Sequence, residues 1–306
     1  MITLSQPVLI HPGFHKTGTT YLQEVLFADT KIFEQPWPRD FLYHHVIDPH
    51  ELAFSAKAAR EAFDERAPRA GASALPVLSE EGLCGNPFNG AREAGILARK
   101  LRAIFDDARI LLTVRSQPGM LRAVYIQYLK AYGRRSPETF FSPPRFPEFS
   151  AFDPDIYKYD RLAALYAELF GAENVLVLPQ ELLQRDEKNF LRAVGKLVGS
   201  EIAVTPPDHA GSEDRNVSPS PSGVPFLRFG NHFSSSAFNE SGLGRSLGGL
   251  ASAFRSIGYR KTPFFGNKPD EFRRLIDQFQ GYYAQSNARL QAFCPVELSS
   301  LGYEVS

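Results

Sequence analysis

The sequence predicts an α/β fold in which a three-layer parallel sheet is covered by helices on both faces. Short apolar runs at residues 7–11, 75–79, 110–114 and 175–178 alternate with longer amphipathic segments. Such alternation is typical of parallel strands joined by crossover helices. The run at 175–178 is apolar throughout, as expected for a strand buried on both faces. Ligands of such sheets bind beyond the carboxyl ends of the strands, so the turns that follow the strands are the first candidates for a site.

The segments between and after these strands predict the helices and the domain organisation. A helix with an apolar stripe at Leu22, Val25 and Leu26 follows the first strand. Further helices are predicted at residues 50–67, 91–105, about 119–132, 159–170, from Asp186 to near Gly199, and over a long closing stretch at 270–293. Segments at about 133–157 and 205–267 show no clear period, which predicts irregular acceptor-framing or lid segments. The whole chain, residues 1–306, is predicted to form a single domain.

Composition restricts the partners of the chain. Of its 306 residues, 43% are hydrophobic and 22% are charged, and the formal net charge is zero. This balance favours neither nucleic acid nor an anionic membrane as a partner. The two cysteines, Cys84 and Cys294, predict neither a disulfide framework nor a metal cluster. No apolar stretch approaches the ~18 residues of a membrane span, and no basic leader precedes the first strand, so a cytoplasmic location is expected.

The most informative segment is the turn that follows the first strand. Gly13 and Gly18 have the spacing of a phosphate-binding loop. Glycines allow positive φ and a close approach of the backbone, so that successive N–H groups form an anion cradle. This predicts a P-loop NTPase-like fold. The lysine lies at Lys16, inside the loop, rather than directly after the second glycine. Hydroxyl donors are supplied by Thr17, Thr19 and Thr20.

A later strand discriminates between two nucleotide chemistries. An ATP-dependent kinase would place a Mg²⁺-binding carboxylate at the end of another strand. The strand at 110–114 instead ends in Arg115, a residue that suits a second phosphate group through bidentate pairing. Two phosphate sites, a displaced lysine and no metal carboxylate favour 3′-phosphoadenosine 5′-phosphosulfate (PAPS) as the donor, with no metal expected. A Mg-ATP-dependent small-molecule kinase stays the alternative.

Residues 15–22, His-Lys-Thr-Gly-Thr-Thr-Tyr-Leu, resemble the 5′-phosphosulfate loop of the PAPS-dependent sulfotransferases. The resemblance, which extends from residue 7 to about 200, implies that Lys16 contacts the bridging oxygen of the leaving phosphate. It also implies that the phosphosulfate is held by Thr17, Gly18, Thr19 and Thr20. Residues 114–125 are similar to the family's 3′-phosphate segment, with Arg115 as the contact. The family normally has a serine eight residues after this arginine, where this chain has Ala123.

Sulfuryl transfer also needs a base for the acceptor hydroxyl or amine. Glu81 follows the second predicted strand, in a stretch similar to the Ser-Ser-Glu-x-Leu run of bacterial sulfotransferase-like sequences, and is the predicted base. Glu80 is a second candidate. Nearby cations such as Lys16 would lower the pKa of a carboxylate there, which opposes this role. His15 is predicted to contact the sulfonyl group or to donate to the loop.

Together these features predict transfer of the sulfuryl group from PAPS to a carbohydrate or other small acceptor, leaving 3′,5′-bisphosphoadenosine (PAP). Arg215 lies in a stretch, residues 215–218, that resembles an adenosine-holding segment of related sequences. A non-catalytic protein that binds a nucleotide or glycan is a further alternative, because Ala123 and the doubled Glu80–Glu81 depart from the family pattern.

Overall fold

The computed structural model of the chain describes residues 7–68, 74–143, 151–202, 223–236, 238, 248–259 and 276–306. The chain divides into two compact units. The first contains Met1–Gln117, Asp155–Pro207 and Gly281–Ser306, and the second contains Pro118–Pro154 and Asp208–Gln280. The single-domain organisation of residues 1–306 stays a prediction.

The first unit is built on a five-stranded, wholly parallel sheet, which confirms the predicted fold class. Its strands are β1 (Val8–His11), β2 (Phe33–Glu34), β3 (Leu75–Ser79), β4 (Ala108–Val114) and β5 (Val175–Pro179), in the order β2-β3-β1-β4-β5. The four predicted strands are all present. The sequence does not predict β2, because two residues are too few to show an alternating pattern.

The register of the sheet places the ends of three strands side by side. In β1, Leu9 pairs with Val77 of β3 on one side and with Arg109 of β4 on the other. Because the strands are parallel, the turns that follow β1, β3 and β4 lie at one edge of the sheet. These are the turns that carry Lys16, Glu81 and Arg115.

Helices surround the sheet and form much of the second unit. They are α1 (Thr19–Tyr21), α2 (Arg39–Leu42), α3 (Ala56–Arg66), α4 (Ala94–Ile104), α5 (Gln117–Lys130), α6 (Pro137–Phe141), α7 (Tyr159–Phe170), α8 (Gln180–Arg185), α9 (Glu187–Val198), α10 (Val224–Asn231), α11 (Gly248–Tyr259) and α12 (Ala284–Leu290). π-Helical turns at Leu22–Leu26 and Tyr43–Ile47 continue α1 and α2. Both α7 and α9 pack on β4 and β5. No helix among the described residues is long and apolar enough to cross a membrane.

Local sequence explains the bounds of α9. The Asp186 side chain accepts a hydrogen bond from the backbone N–H of Asn189 at 3.1 Å, which caps the first turn. Gly199, with φ of 70°, takes the left-handed conformation that ends the helix. Its buried stripe consists of Phe190, Leu191, Val194 and Val198. The helix predicted from Asp186 to Gly199 is thus confirmed.

The long closing helix predicted at 270–293 is not continuous in its described part: residues 276–277 and 284–290 are helical, but turns separate them. The chain forms turns at residues 278–283 before α12 begins. Gly281 there has φ of 73°, a left-handed conformation that interrupts an α-helix. Both segments predicted to be irregular contain helices: α6 lies within 133–157, and α10 and α11 lie within 205–267. Their apolar positions are short in extent and flanked by Ser, Gly and Pro, so the sequence shows no sustained period.

Candidate anion-binding site at the carboxyl edge of the sheet

The loop between β1 and α1 has an unusual backbone. Gly13, Lys16 and Gly18 have φ values of 24°, 65° and 92°. A Cβ atom at Gly13 would lie 2.6 Å from Nε2 of His11, so only glycine fits there. A lysine with positive φ costs on the order of 1 kcal/mol or more, and such strain persists only where the surrounding structure holds it. The surrounding structure therefore holds the loop in one conformation, with Lys16 at its turn.

Several hydrogen-bond donors of this loop have no partner in the described part of the chain. The backbone N–H groups of Lys16, Thr17 and Gly18 donate to no group among the described residues. The buried Thr19 Oγ1 likewise has no hydrogen-bond partner in the part of the chain that the structure describes. A buried polar group without a partner costs about 1–3 kcal/mol. Donors on one loop beside Lys16 fit an anionic ligand with several acceptor oxygens, such as a phosphosulfate.

His11 joins the three strands beneath the loop. Its Nδ1 lies 2.8 Å from Ser79 Oγ on β3, and its Nε2 lies 2.9 Å from Thr113 Oγ1 on β4. The ring is completely buried. Burial lowers its pKa to about 3, against the opposing charge of Glu81, so the ring is neutral at physiological pH. His11 is a structural link and not an acid or base for a bound ligand.

The hydrogen bonds around His11 run in one direction. The Thr17 hydroxyl donates to the carbonyl oxygen of Phe14 at 2.5 Å, so its oxygen accepts from the Thr113 hydroxyl at 2.8 Å. Thr113 Oγ1 must then accept from Nε2–H of His11, whose Nδ1 accepts from the hydroxyl of Ser79. The Thr17 hydroxyl is therefore engaged inside the protein, and a contact from Thr17 to a ligand would come from its backbone N–H.

Two cationic side chains follow neighbouring strands of the sheet. Lys16 is exposed, and Arg115 is half-buried directly after β4. Neither side chain forms a hydrogen bond or ion pair with the described residues. The Arg115 carbonyl accepts from the hydroxyl of Tyr159 at 2.8 Å. The next residue, Ser116, donates its N–H to Glu181 at 3.0 Å. These bonds fix the backbone from which the Arg115 side chain extends.

The two candidate bases lie in different environments. Glu80 precedes a 3₁₀ turn at Glu81–Cys84, and its side chain is only 3% exposed. Its carboxylate accepts from the N–H of Gly82 at 3.1 Å and lies 3.7 Å from a guanidinium nitrogen of Arg39. Burial raises the pKa of Glu80, although the Gly82 bond and Arg39 oppose the shift. The Glu80 carboxylate thus stabilises the 3₁₀ turn by accepting the Gly82 N–H.

Glu81 faces the loop and is 32% exposed. Its Oε1 lies 3.1 Å from Nδ1 of His15, whose Nε2 lies 3.3 Å from the carbonyl oxygen of Gly85. Burial alone would raise the pKa of Glu81, but the His15 hydrogen bond and the charges of His15, Lys16 and Arg39 outweigh burial and lower it. Glu81 is therefore an ionised carboxylate held by His15.

The structure brings some of the predicted site residues together and adds others. Lys16, His15 and Glu81 form one cluster, whereas Arg215 lies outside the described residues. The pairing of His15 with Glu81 is not predicted by the sequence, and neither is the approach of Arg39. No motif marks Arg39, because its proximity to Glu80 depends on the side-by-side placement of α2 and β3.

The fold is similar to that of solved sulfotransferases. The sulfotransferase from Alicyclobacillus acidocaldarius has a TM-score of 0.50 and 14% identity, over 97% of this chain and 99% of that chain. The sulfotransferase domain of the Synechococcus PCC 7002 olefin synthase has a TM-score of 0.42 and 13% identity, over 91% and 96%. Mouse sulfotransferase SULT7A1, solved in complex with PAP, has a TM-score of 0.41 and 12% identity, over 94% and 88%. No protein-family model and no curated protein sequence matches the chain significantly. The first similarity shows a shared P-loop-like α/β fold.

Proposed function

We propose that the protein is a sulfotransferase that moves the sulfuryl group of PAPS to an acceptor hydroxyl or amine, with a carbohydrate as the acceptor. The observation that carries the proposal is the loop itself. The N–H groups of Lys16, Thr17 and Gly18 and the Thr19 hydroxyl, which have no partner among residues that the structure describes, offer donors to an anion. The ionised Glu81 lies close enough to Lys16 for the charge of Lys16 to lower its pKa. This arrangement occurs on a fold shared with a bacterial sulfotransferase.

The residues present fit the two anionic ends of PAPS, which supplies an activated sulfuryl group when bound. The loop N–H groups with Thr19 and Thr20 would hold the phosphosulfate. Arg115 would pair with the 3′-phosphate, because a guanidinium offers two parallel N–H donors to a phosphate. Lys16 would stabilise the charge that develops on the leaving phosphate, and loss of one such donor typically costs about 10²–10³ in rate.

Glu81 is the better candidate base of the two adjacent glutamates. It is ionised and partly exposed, and its Oε1 is held by His15 at 3.1 Å. Its lowered pKa makes it a weaker base than an unperturbed carboxylate, so the assignment rests on its ionised state and its access to a ligand rather than on high basicity. Its Oε2 has no hydrogen-bond partner among the described residues and can accept the proton of an acceptor hydroxyl. Glu80 is buried and already accepts the N–H of Gly82. His15 acts in this proposal as the residue that orients Glu81.

The acceptor class and the location of the protein are the remaining parts of the proposal. A carbohydrate acceptor is supported by the resemblance to bacterial sulfotransferase-like sequences, several of which act on glycans. Among the described aromatic residues of segment 133–157, Phe140, Phe141 and Phe152 are buried and add no support. Phe146 and Phe149 lie outside the described residues. A cytoplasmic location is supported by Cys84 and Cys294, which are both free thiols.

A transfer assay with labelled PAPS and a panel of sugar acceptors tests this function. Wild-type protein is expected to label at least one acceptor, and Glu81→Gln is expected to lower the rate by about 10²–10⁴ because the general base is lost. Calorimetry should show unchanged binding of PAP by this variant. Glu61→Gln is the matched control, since Glu61 lies on α3 and is 63% exposed. Undiminished transfer by Glu81→Gln would refute the assignment of the base. Failure of the wild type to bind PAP or to label any acceptor would refute the function.

A further inference from the structure

Arg39 is a positioned and largely exposed cation beside the two glutamates. It begins α2, and one guanidinium nitrogen lies 3.2 Å from the Tyr43 hydroxyl, to which it donates. The guanidinium also lies over the Tyr43 ring at 5.2 Å from its centroid. Despite these contacts, 66% of the Arg39 side chain is exposed. Tyr43 therefore fixes the guanidinium from one side and leaves the other side open to solvent.

The charges around Arg39 do not use up its hydrogen-bonding capacity. The same nitrogen that contacts Tyr43 lies 3.7 Å from Glu80, so this approach is an electrostatic contact rather than a direct hydrogen bond. A guanidinium has five N–H donors in a planar fork. Glu80 already accepts from Gly82, and Glu81 is engaged by His15. A contact with Glu80 alone would not need the Arg39 guanidinium to be held by Tyr43 with its remaining N–H groups exposed to solvent.

Arg39 also lies beside the turn that carries the proposed base, since one of its guanidinium nitrogens lies 3.7 Å from Glu80, the residue that precedes Glu81. Its charge is among those that lower the pKa of Glu81. An acceptor whose hydroxyl reaches Glu81 would therefore place its neighbouring groups within the field of Arg39. A planar carboxylate two or three bonds from that hydroxyl would match the planar fork through bidentate hydrogen bonds.

We propose that Arg39 is an acceptor-specificity residue that binds a carboxylate of the acceptor, so that the preferred acceptors are saccharides that contain uronic acid. Tyr43 is a positioning residue that holds the guanidinium in place. This inference rests on the proposed function, because it assumes that the acceptor approaches Glu81.

Equilibrium binding of a matched pair of sugars tests the proposal without requiring turnover. The pair is an oligosaccharide with a terminal uronic acid and its carboxyl-reduced counterpart, titrated into full-length protein saturated with PAP. Wild type is expected to bind the uronic acid form about tenfold to a hundredfold more tightly, as a charge-assisted hydrogen bond allows. Arg39→Gln should reduce this ratio to about one, and Arg39→Lys should give an intermediate ratio because it keeps the charge but loses the fork.

Two further variants make the result specific. Tyr43→Phe keeps the ring and the Arg39 charge but removes the hydroxyl that accepts from Arg39, so its ratio should fall only partly. Arg192→Gln is the matched control and should behave as wild type, because Arg192 is an exposed arginine on α9. The expected preference should also weaken as salt rises, since exposed charges are screened.

The outcomes separate this inference from the proposed function. Equal binding of the two sugars by wild type, failure of both to bind, or an undiminished ratio in Arg39→Gln would overturn the role of Arg39. PAP binding measured on the same samples reports on the donor site separately. If Arg39→Gln is too unstable to titrate, an unchanged ratio in Tyr43→Phe overturns the inference, and a reduced ratio supports it.

Discussion

His11, which ends β1, and His15, four residues later in the loop, occupy opposite environments. His11 is completely buried between β3 and β4, and burial lowers its pKa to about 3. His15 is 26% exposed and pairs with the carboxylate of Glu81. One ring therefore belongs to the neutral framework of the sheet, and the other belongs to the charged surface that would meet a ligand.

The contrast shows how the candidate site is layered. Beneath the loop, hydrogen bonds from His11 to Thr113 and from Thr113 to Thr17 hold the loop to the sheet without any formal charge. Above the loop, Lys16 and Glu81 supply the charges, and His15 pairs with Glu81. A rigid neutral layer can hold a charged layer in place, which preorganised electrostatic stabilisation requires.

Replacement of each histidine by alanine should give the largest difference between the two sites, measured as the loss in the free energy of unfolding. His11→Ala removes a buried ring and leaves the Ser79 and Thr113 hydroxyls without their shared partner, so we expect a loss of about 3–5 kcal/mol in the free energy of unfolding. His15→Ala removes only a partly exposed pair and should cost less than about 1 kcal/mol. Chemical denaturation of the two variants checks the difference. Equal losses would mean that His11 does not anchor the loop.

The buried, neutral state of His11 should also appear in the pH dependence of the unfolding free energy, as a smaller effect. Because the folded pKa of His11 is about 3 and its unfolded value is 6.5, the unfolded state binds one more proton between these values. This contribution therefore lowers stability as pH falls below about 6.5, by about 1.4 kcal/mol per pH unit. The difference in unfolding free energy between wild type and His11→Gln should shrink by about 2 kcal/mol from pH 7 to pH 5. Other groups, such as Glu80, are common to both proteins and cancel in this difference. A constant difference would show that His11 titrates normally.

The sequence predicts the features of the fold that depend on local pattern. The strands, the loop shape around Gly13 and Gly18, and the capped helix α9 all follow from apolar runs or from single turn residues. The two-residue strand β2 and the break at Gly281 do not, since a short strand depends on its neighbour and a single glycine can lie within a helix.

The contacts of the site depend on tertiary structure to a greater degree. His11 contacts Ser79 and Thr113 across 68 and 102 residues of sequence. The resemblance favours Glu81 over Glu80 as the base, but the burial of Glu80 and the exposure of Glu81 towards the loop depend on the 3₁₀ turn and its surroundings. Arg39 enters the site only because α2 is placed beside the end of β3.

Calorimetric titration of the protein with PAP and, separately, with Mg-ATP tests the central claim most directly. The account predicts micromolar or tighter binding of PAP, weak or no binding of Mg-ATP, and a loss of about tenfold to a hundredfold in PAP affinity for Arg115→Gln. Preferential binding of Mg-ATP, or no binding of PAP at all, would contradict it.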